Sequence, residues 1–239
     1  MRHQFHSAFP LAAFLALFLF FSSCGEKADS TGDSTGFTPE RVAALPDGGC
    51  LLVTSVPKAD PPQQSLVRMD AQGKRLWETN IPGDIGGSDH HESPIVAGGG
   101  KAIIRVGGLK ADAGAEQKII AYDLESGEKR WERPAASMFR SMVVRGEHLV
   151  VVPVFLSKNA LEVLQLSDGN VAWTYQLPEK YGRDEVRVLE KHVSYFGEGT
   201  DTLMLFDLTN GKMVFSTHGL SPTYDGNRLF YGTSSGIVA

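Results

Sequence analysis

One phrase recurs four times along this chain. Ala121–Trp131 reads AYDLESGEKRW, and Val163–Trp173 reads VLQLSDGNVAW. Leu205–Phe215 reads LFDLTNGKMVF, and a form one residue shorter between acid and glycine, VRMDAQGKRLW, spans Val67–Trp77. The anchoring glycines Gly73, Gly127, Gly169 and Gly211 lie 54, 42 and 42 residues apart. A large aromatic stands four residues after each of them: Trp77, Trp131, Trp173 and Phe215. The phrase has a mechanical reading. An apolar strand runs into Asp123 or Asp207, whose short side chain bonds the backbone of the turn ahead. The glycine supplies a positive φ, and a second strand starts at once. A ring at one fixed place on that second strand suits packing between neighbouring units.

A period near 42 filled only with strand-like segments is the signature of propeller blades. The expected fold is all-β: a β-propeller of four-stranded blades, four of them complete and a fifth begun. The blades fall at about residues 41–82, 93–135, 141–178, 184–218 and, in part, 222–239, with glycines or Asp-Gly pairs between most strands. No segment has a 3.6-residue apolar period. Two polar stretches, PKADPPQQ at Pro57–Gln64 and LKADAGAEQ at Leu109–Gln117, read as surface loops. A propeller hides its sheet edges by closing its ring. The residues before Arg41 offer no spare strand, so the chain is expected to be the first part of a longer propeller; a short complete ring, or closure by a partner, is the alternative.

The start of the chain reads as an address. Arg2 precedes the apolar run AFPLAAFLALFLFF at Ala8–Phe21, and Ser22-Ser23-Cys24-Gly25 follows. A basic start, a short apolar core and small residues make a secretory signal. The run is short for a membrane span, which takes about 20 residues. Cys24 directly after small residues resembles the bacterial lipoprotein signal, in which that cysteine is lipidated and becomes the mature N-terminus; Phe21 departs from the usual aliphatic. Residues 1–23 are then the signal peptide and 24–40 a polar tether, EKADSTGDSTGFT at its centre. Lipidation of Cys24 leaves Cys50 alone, in the apolar strand GGCLLVTSV, where a free thiol behaves as a small buried hydrophobe. The net charge of −5 is spread along the chain, with no basic patch for nucleic acid.

Ala121, Asp123, Ser126, Gly127 and Trp131 make a complete A-x-D-x-x-[ST]-G-x-x-x-W. That pattern, and DGNRLFYGTSSGIVA at Asp225–Ala239, resembles the repeat of the pyrroloquinoline-quinone (PQQ)-like β-propellers over about Arg41–Ala239. Blade three departs, with Gln165 in place of the aspartate, and blade one is a residue short. The resemblance implies one of two functions. Quinoprotein alcohol and glucose dehydrogenases of this kind hold PQQ and calcium on the axis. Others keep the fold without the cofactor, among them a lipoprotein of outer-membrane β-barrel assembly. The chain has no vicinal cysteine pair and no carboxylate set assignable to calcium, which takes six to eight oxygens. The lipoprotein signal points to the second, non-catalytic branch.

Candidate chemistry is sparse. Ser88-Asp89-His90-His91-Glu92-Ser93 could place Asp89 and His91 on one side of an extended chain as two ligands to a divalent metal, but no more. A solvated polar loop is the plainer reading. Gly98–Gly100 matches no phosphate loop, since no helix and no Lys-Ser/Thr follow. The residues expected to matter are those of the blade motif: Asp123, Gly127, Trp131, Gly169, Trp173, Asp207, Gly211 and Phe215. The function expected is a non-enzymatic scaffold without a cofactor, binding a protein partner through propeller loops. It would be lipid-anchored in a bacterial cell envelope, facing periplasm or exterior. The alternative is a fragment or subunit of a PQQ-dependent dehydrogenase.

Overall fold

The computed structural model describes residues 38–239 apart from 57–62, 84, 86–93, 108–116, 136–138, 154–159, 178–184, 198–199, 220–221, 227, 234–235 and 239. The described chain is strands and turns. The first sheet comprises β1 (Thr38–Ala44), β2 (Cys50–Val56), β3 (Gln63–Met69) and β4 (Arg75–Ile81). β5 (Ile95–Gly98), β6 (Lys101–Val106), β7 (Lys118–Asp123) and β8 (Lys129–Pro134) form the second. The third holds β9 (Phe139–Arg145), β10 (His148–Pro153), β11 (Ala160–Gln165) and β12 (Val171–Gln176). The fourth holds β13 (Glu185–Val188), β14 (His192–Gly197), β15 (Thr202–Asp207) and β16 (Met213–His218). Three strands, β17 (Thr223–Asp225), β18 (Arg228–Thr233) and β19 (Gly236–Val238), make the fifth.

Each sheet is an antiparallel meander in chain order, and no strand crosses from one sheet to another. The first strands of the first three sheets approach one another, β1 to β5 and β5 to β9, so these three sheets converge at that side. This is the arrangement of propeller blades, four four-stranded ones and a partial fifth. β1 starts at Thr38, opposite Ser55, three residues before the Arg41 at which the sequence pattern opens the first blade.

The core lies between sheets rather than within one. Leu51, Val53 and Leu66 of the first sheet meet Ala102, Ile104 and Ile120 of the second. Ile103, Ile119 and Ala121, on the opposite face of that second sheet, meet Leu149, Val151 and Leu164 of the third. Val150, Leu161 and Val163 then meet Val193, Tyr195 and Phe206 of the fourth. Middle strands such as KIIAYD are apolar in a row because both of their faces are covered. The outermost strands alternate, as one-sided burial requires: β12 runs exposed, half-buried, buried, exposed, half-buried, exposed.

A bulge that the sequence pattern does not display stands at the same place in four sheets. Ala121 pairs with Trp131 while Tyr122 pairs with Lys129, so Arg130 is extra. Leu76, Ala172 and Val214 are the extra residues at the corresponding steps. A bulge sharpens the local twist of an outer strand.

Candidate functional site

The repeated phrase builds a brace between blades. Its turn is closed by Gly127 N–H donating to the Asp123 carbonyl at 2.9 Å, with the same bond from Gly169 to Gln165 and from Gly211 to Asp207. The three glycines have φ of 73°, 74° and 69°. Asp123 Oδ1 accepts the N–H groups of Glu125 and Ser126, both at 3.0 Å, and Arg130 holds its other oxygen at 2.8 Å. The Ser126 N–H and the Arg130 guanidinium hold this carboxyl well below the usual carboxylate range. Asp207 Oδ1 caps its own turn in the same way, through Thr209 and Asn210.

The aromatic of each phrase does not pack on its own glycine. It crosses to the next blade. Trp77 lies against Gly127, Trp131 against Gly169 and Trp173 against Gly211, so close that a Cβ on these glycines would sit 2.6–2.7 Å from an indole carbon. Each indole N–H donates to the carbonyl of a leucine in that neighbouring turn: Trp77 to Leu124 at 2.9 Å, Trp131 to Leu166 at 3.0 Å, Trp173 to Leu208 at 2.8 Å. Glycine is thus required twice over, for its φ and for the space above it. Trp131 and Trp173 are buried, each 8% exposed; Trp77 and Phe215 are half-buried. The leucines were missed by the sequence reading. Their signal was present, since a leucine follows Asp123, Gln165 and Asp207 alike. Phe215 has no N–H to give; its ring instead meets Tyr231 at 5.4 Å.

Further inter-blade groups were also missed. Arg133 on β8 reaches Glu162 on β11 at 3.0 Å and the Gly169 carbonyl at 2.9 Å. Burial raises the Glu162 carboxyl above its ordinary value, against the pull of Arg133. Arg105, buried in β6, donates to the Phe139 carbonyl at 3.0 Å and lies over that ring. Gln64 and Gln117 accept the N–H of Ile85 and Phe139 respectively, holding the segments that lead on from β4 and β8.

Of the residues singled out for chemistry, Cys24, Asp89 and His91 lie outside the described residues. Among the described residues, no three His, Cys, Asp or Glu side chains come together as metal donors. Those residues therefore offer no carboxylate cage of the kind a quinone-bound calcium would need. Cys50 is half-buried, and burial together with Asp47 pushes its thiol up, away from nucleophilic activation. Gly98–Gly100 is the β5–β6 turn; Gly98 faces Val144 of the third sheet at a distance that excludes a side chain.

The outer strands differ at their open edges. β8 is charged: Glu132 lies between Lys118 and Lys129 at 3.0 and 2.9 Å, and Arg130 pairs with Asp123. It also ends in Pro134. β4 carries an Arg75–Glu78 pair. β12 and β16 contain no Lys, Arg, Asp or Glu, and expose Val171 (45%), Met213 (51%) and Val214 (52%).

The model of the family described as outer membrane protein assembly factor BamB matches residues 62–224, which take in the second, third and fourth sheets and all three tryptophan braces. The chain belongs to this BamB family. The BamB of Yersinia pestis is 28% identical over 127 residues, covering 52% of this chain and 30% of that protein. The chain therefore matches about a third of that relative's length. Its fold is similar to the crystal structure of Moraxella catarrhalis BamB, with a TM-score of 0.51 at 19% identity over 84% of this chain and 57% of that one. It is similar in fold also to the quinohemoprotein alcohol dehydrogenase of Comamonas testosteroni, with a TM-score of 0.51 at 17% identity over 80% and 37%. At these identities both structures speak to the fold alone, which is the PQQ-like β-propeller.

Proposed function

We propose that this BamB-family propeller is a protein-binding scaffold in the assembly of outer membrane proteins, held in a bacterial cell envelope by a lipid on Cys24. The observation that carries the reading is the family match across residues 62–224. The physics of the repeat supports it. The glycines, leucine carbonyls and tryptophans of the phrase are spent on joining blades, and its turn acids on capping their own turns. What is left for recognition is the rim, where loops and outer strands meet solvent, and rim binding needs neither cofactor nor metal. Residues 1–23 then serve as signal peptide, and the polar stretch after Cys24 as a tether that lets the propeller reach its partner.

Deleting the gene in its own bacterium and quantifying the outer membrane proteome tests the role. A broad fall in β-barrel proteins is expected, restored by the wild-type gene; unchanged levels overturn the reading. The anchor is read separately. Mass spectrometry is expected to find a diacylglyceryl-modified Cys24 at the mature N-terminus, and Cys24→Ala to release the protein from the membrane fraction.

A further inference from the structure

We propose that the open edge of β16 accepts an extended, uncharged segment of a partner protein as an added strand. The inference rests on the scaffold reading and names how that scaffold holds its partner. An edge strand presents a row of backbone N–H and C=O groups, and folded proteins guard such rows with charge, proline, bulges or cover. The four outer strands of this chain share the bulge, so the bulge does not separate them. Charge and proline set β8 and β4 apart from β12 and β16, and of the latter two only β16 exposes two neighbouring apolar side chains. β8 is guarded by Lys129, Arg130, Glu132 and the terminal Pro134, and β4 by Arg75 and Glu78.

β16 has none of these guards. It pairs only with β15 among the described residues, contains no formal charge, and leaves Met213 and Val214 about half exposed side by side. Six residues at about 3.3 Å each give a binding edge of about 20 Å, a full strand's length. Strand addition takes its affinity from main-chain hydrogen bonds and its selectivity from alternate side chains. The side chains on offer are apolar at Met213 and Val214 and uncharged at Ser216 and Thr217. A fitting segment alternates β-branched apolar residues with threonine or serine, and an acid at one end would meet exposed Lys212.

A second copy of the chain fits less well. Antiparallel self-pairing sets Met213 opposite His218 and brings Lys212 beside that same His218, with neither apolar nor charge complementarity. Two six-residue strands also fall far short of the roughly 1,200 Å² of a standard stable interface.

The test is fluorescence anisotropy of the full mature chain with a labelled peptide of alternating valine and threonine closed by one glutamate. Saturable binding is expected. Met213→Lys with Val214→Lys should weaken it at least tenfold, whereas Leu76→Lys on β4 should leave it unchanged. Both variants are surface changes, and unchanged thermal midpoints verify their folding. The same peptide methylated on alternate backbone nitrogens should not bind; this arm leaves the protein untouched. No binding by the wild type, or equal binding by the double lysine variant, overturns the proposal. So does a concentration-dependent dimer in sedimentation that the lysines abolish, which would give the edge to a second copy. Outer-membrane protein levels read the scaffold role and peptide binding reads the edge, so each can fail while the other stands.

Discussion

The seam between the second and third blades and the seam between the third and fourth are built on one plan and finished differently. Both are closed by a buried indole donating to a leucine carbonyl, Trp131 to Leu166 and Trp173 to Leu208. Two residues beyond each tryptophan, a side chain reaches the next blade. In the first seam it is Arg133, meeting buried Glu162. In the second it is Tyr175, whose ring packs at a tilt against Phe206 with centroids 4.5 Å apart. The shared brace sets the blade spacing; the residue beyond it is free to be ionic or aromatic. Repeat identity marks what joins one blade to the next, and departures from it mark what tunes single seams.

The largest expected effect falls on the shared part. Trp131→Ala and Trp173→Ala should each cost about 3–5 kcal/mol, because each removes a large buried ring and orphans a leucine carbonyl. Urea denaturation checks it. A loss under about 1 kcal/mol at either site would break the equivalence of the two seams.

That shared part is also what the sequence displayed. The 42-residue period, the turn acid, the glycine and the aromatic were readable because they recur, and they predict the blade order seen in the sheets. What could not be read was which blade's glycine each aromatic meets. Trp131 stands four residues from Gly127 but packs on Gly169, and periodicity is silent on that choice. The Arg133–Glu162 pair was hidden for a different reason. It occurs once, and Glu162 sits in the middle strand ALEVLQ. A strand covered on both faces has no polar side, so alternation cannot say whether an acid there is buried. The edge of β16 is legible only by contrast, once the outer strands are aligned and their charges compared.

The ionic finish of the first seam is the next point to test. Arg133→Met should cost about 2–3 kcal/mol at pH 7, less than the 3–5 of a fully enclosed pair because Arg133 keeps some solvent contact. The loss should depend on pH. Glu162 has its folded pKa raised above the unfolded value, so its protonated form is the one the fold favours. That stabilising contribution is fully present below the unfolded pKa, about 4.3, and is lost as pH rises through the folded pKa. Without Arg133 the charged form loses its partner, so the variant's deficit should shrink as pH falls from 7 toward 4. A deficit constant with pH would mean that Glu162 is not the group left behind.

Grafting the second seam's finish onto the first sharpens the comparison. Arg133→Tyr with Glu162→Met places there the residue types of Tyr175 and Met204, which stand at the same steps of the repeat. Replacing a buried ion pair with packed apolar groups is often neutral or stabilising, and the expected change is between zero and a gain of about 2 kcal/mol. Its cost is the Gly169 carbonyl, which loses the second Arg133 N–H. The pH dependence assigned to Glu162 should vanish. A net loss greater than about 1 kcal/mol would show that the pair contributes more than the apolar alternative.

The smallest effect concerns the turns that receive the two indoles. Trp173 docks on a turn headed by Asp207, whose carboxylate caps two backbone N–H groups; Trp131 docks on one headed by Gln165. Gln165→Asp should give the third blade the cap its neighbours have, a gain of about 0.5 kcal/mol, near the low end for capping residues. Asp123 shows what such a carboxyl becomes: its pKa is lowered by the turn N–H of Ser126 and by Arg130. An introduced aspartate held by the same N–H groups has its folded pKa depressed. Its stabilisation is then present above the unfolded carboxyl pKa, about 3.9, and lost as pH falls through the folded one. Asp168 works against it, since that carboxylate already holds Asn170 in the same turn and repels a second negative charge. Comparing Gln165→Asp with Gln165→Asp/Asp168→Asn separates these terms in thermal melts at pH 7. The double variant should gain more than the single one. If neither gains, the turn is set by Gly169 alone, and the acid heading the phrase in blades two and four is dispensable to the docking of the indole.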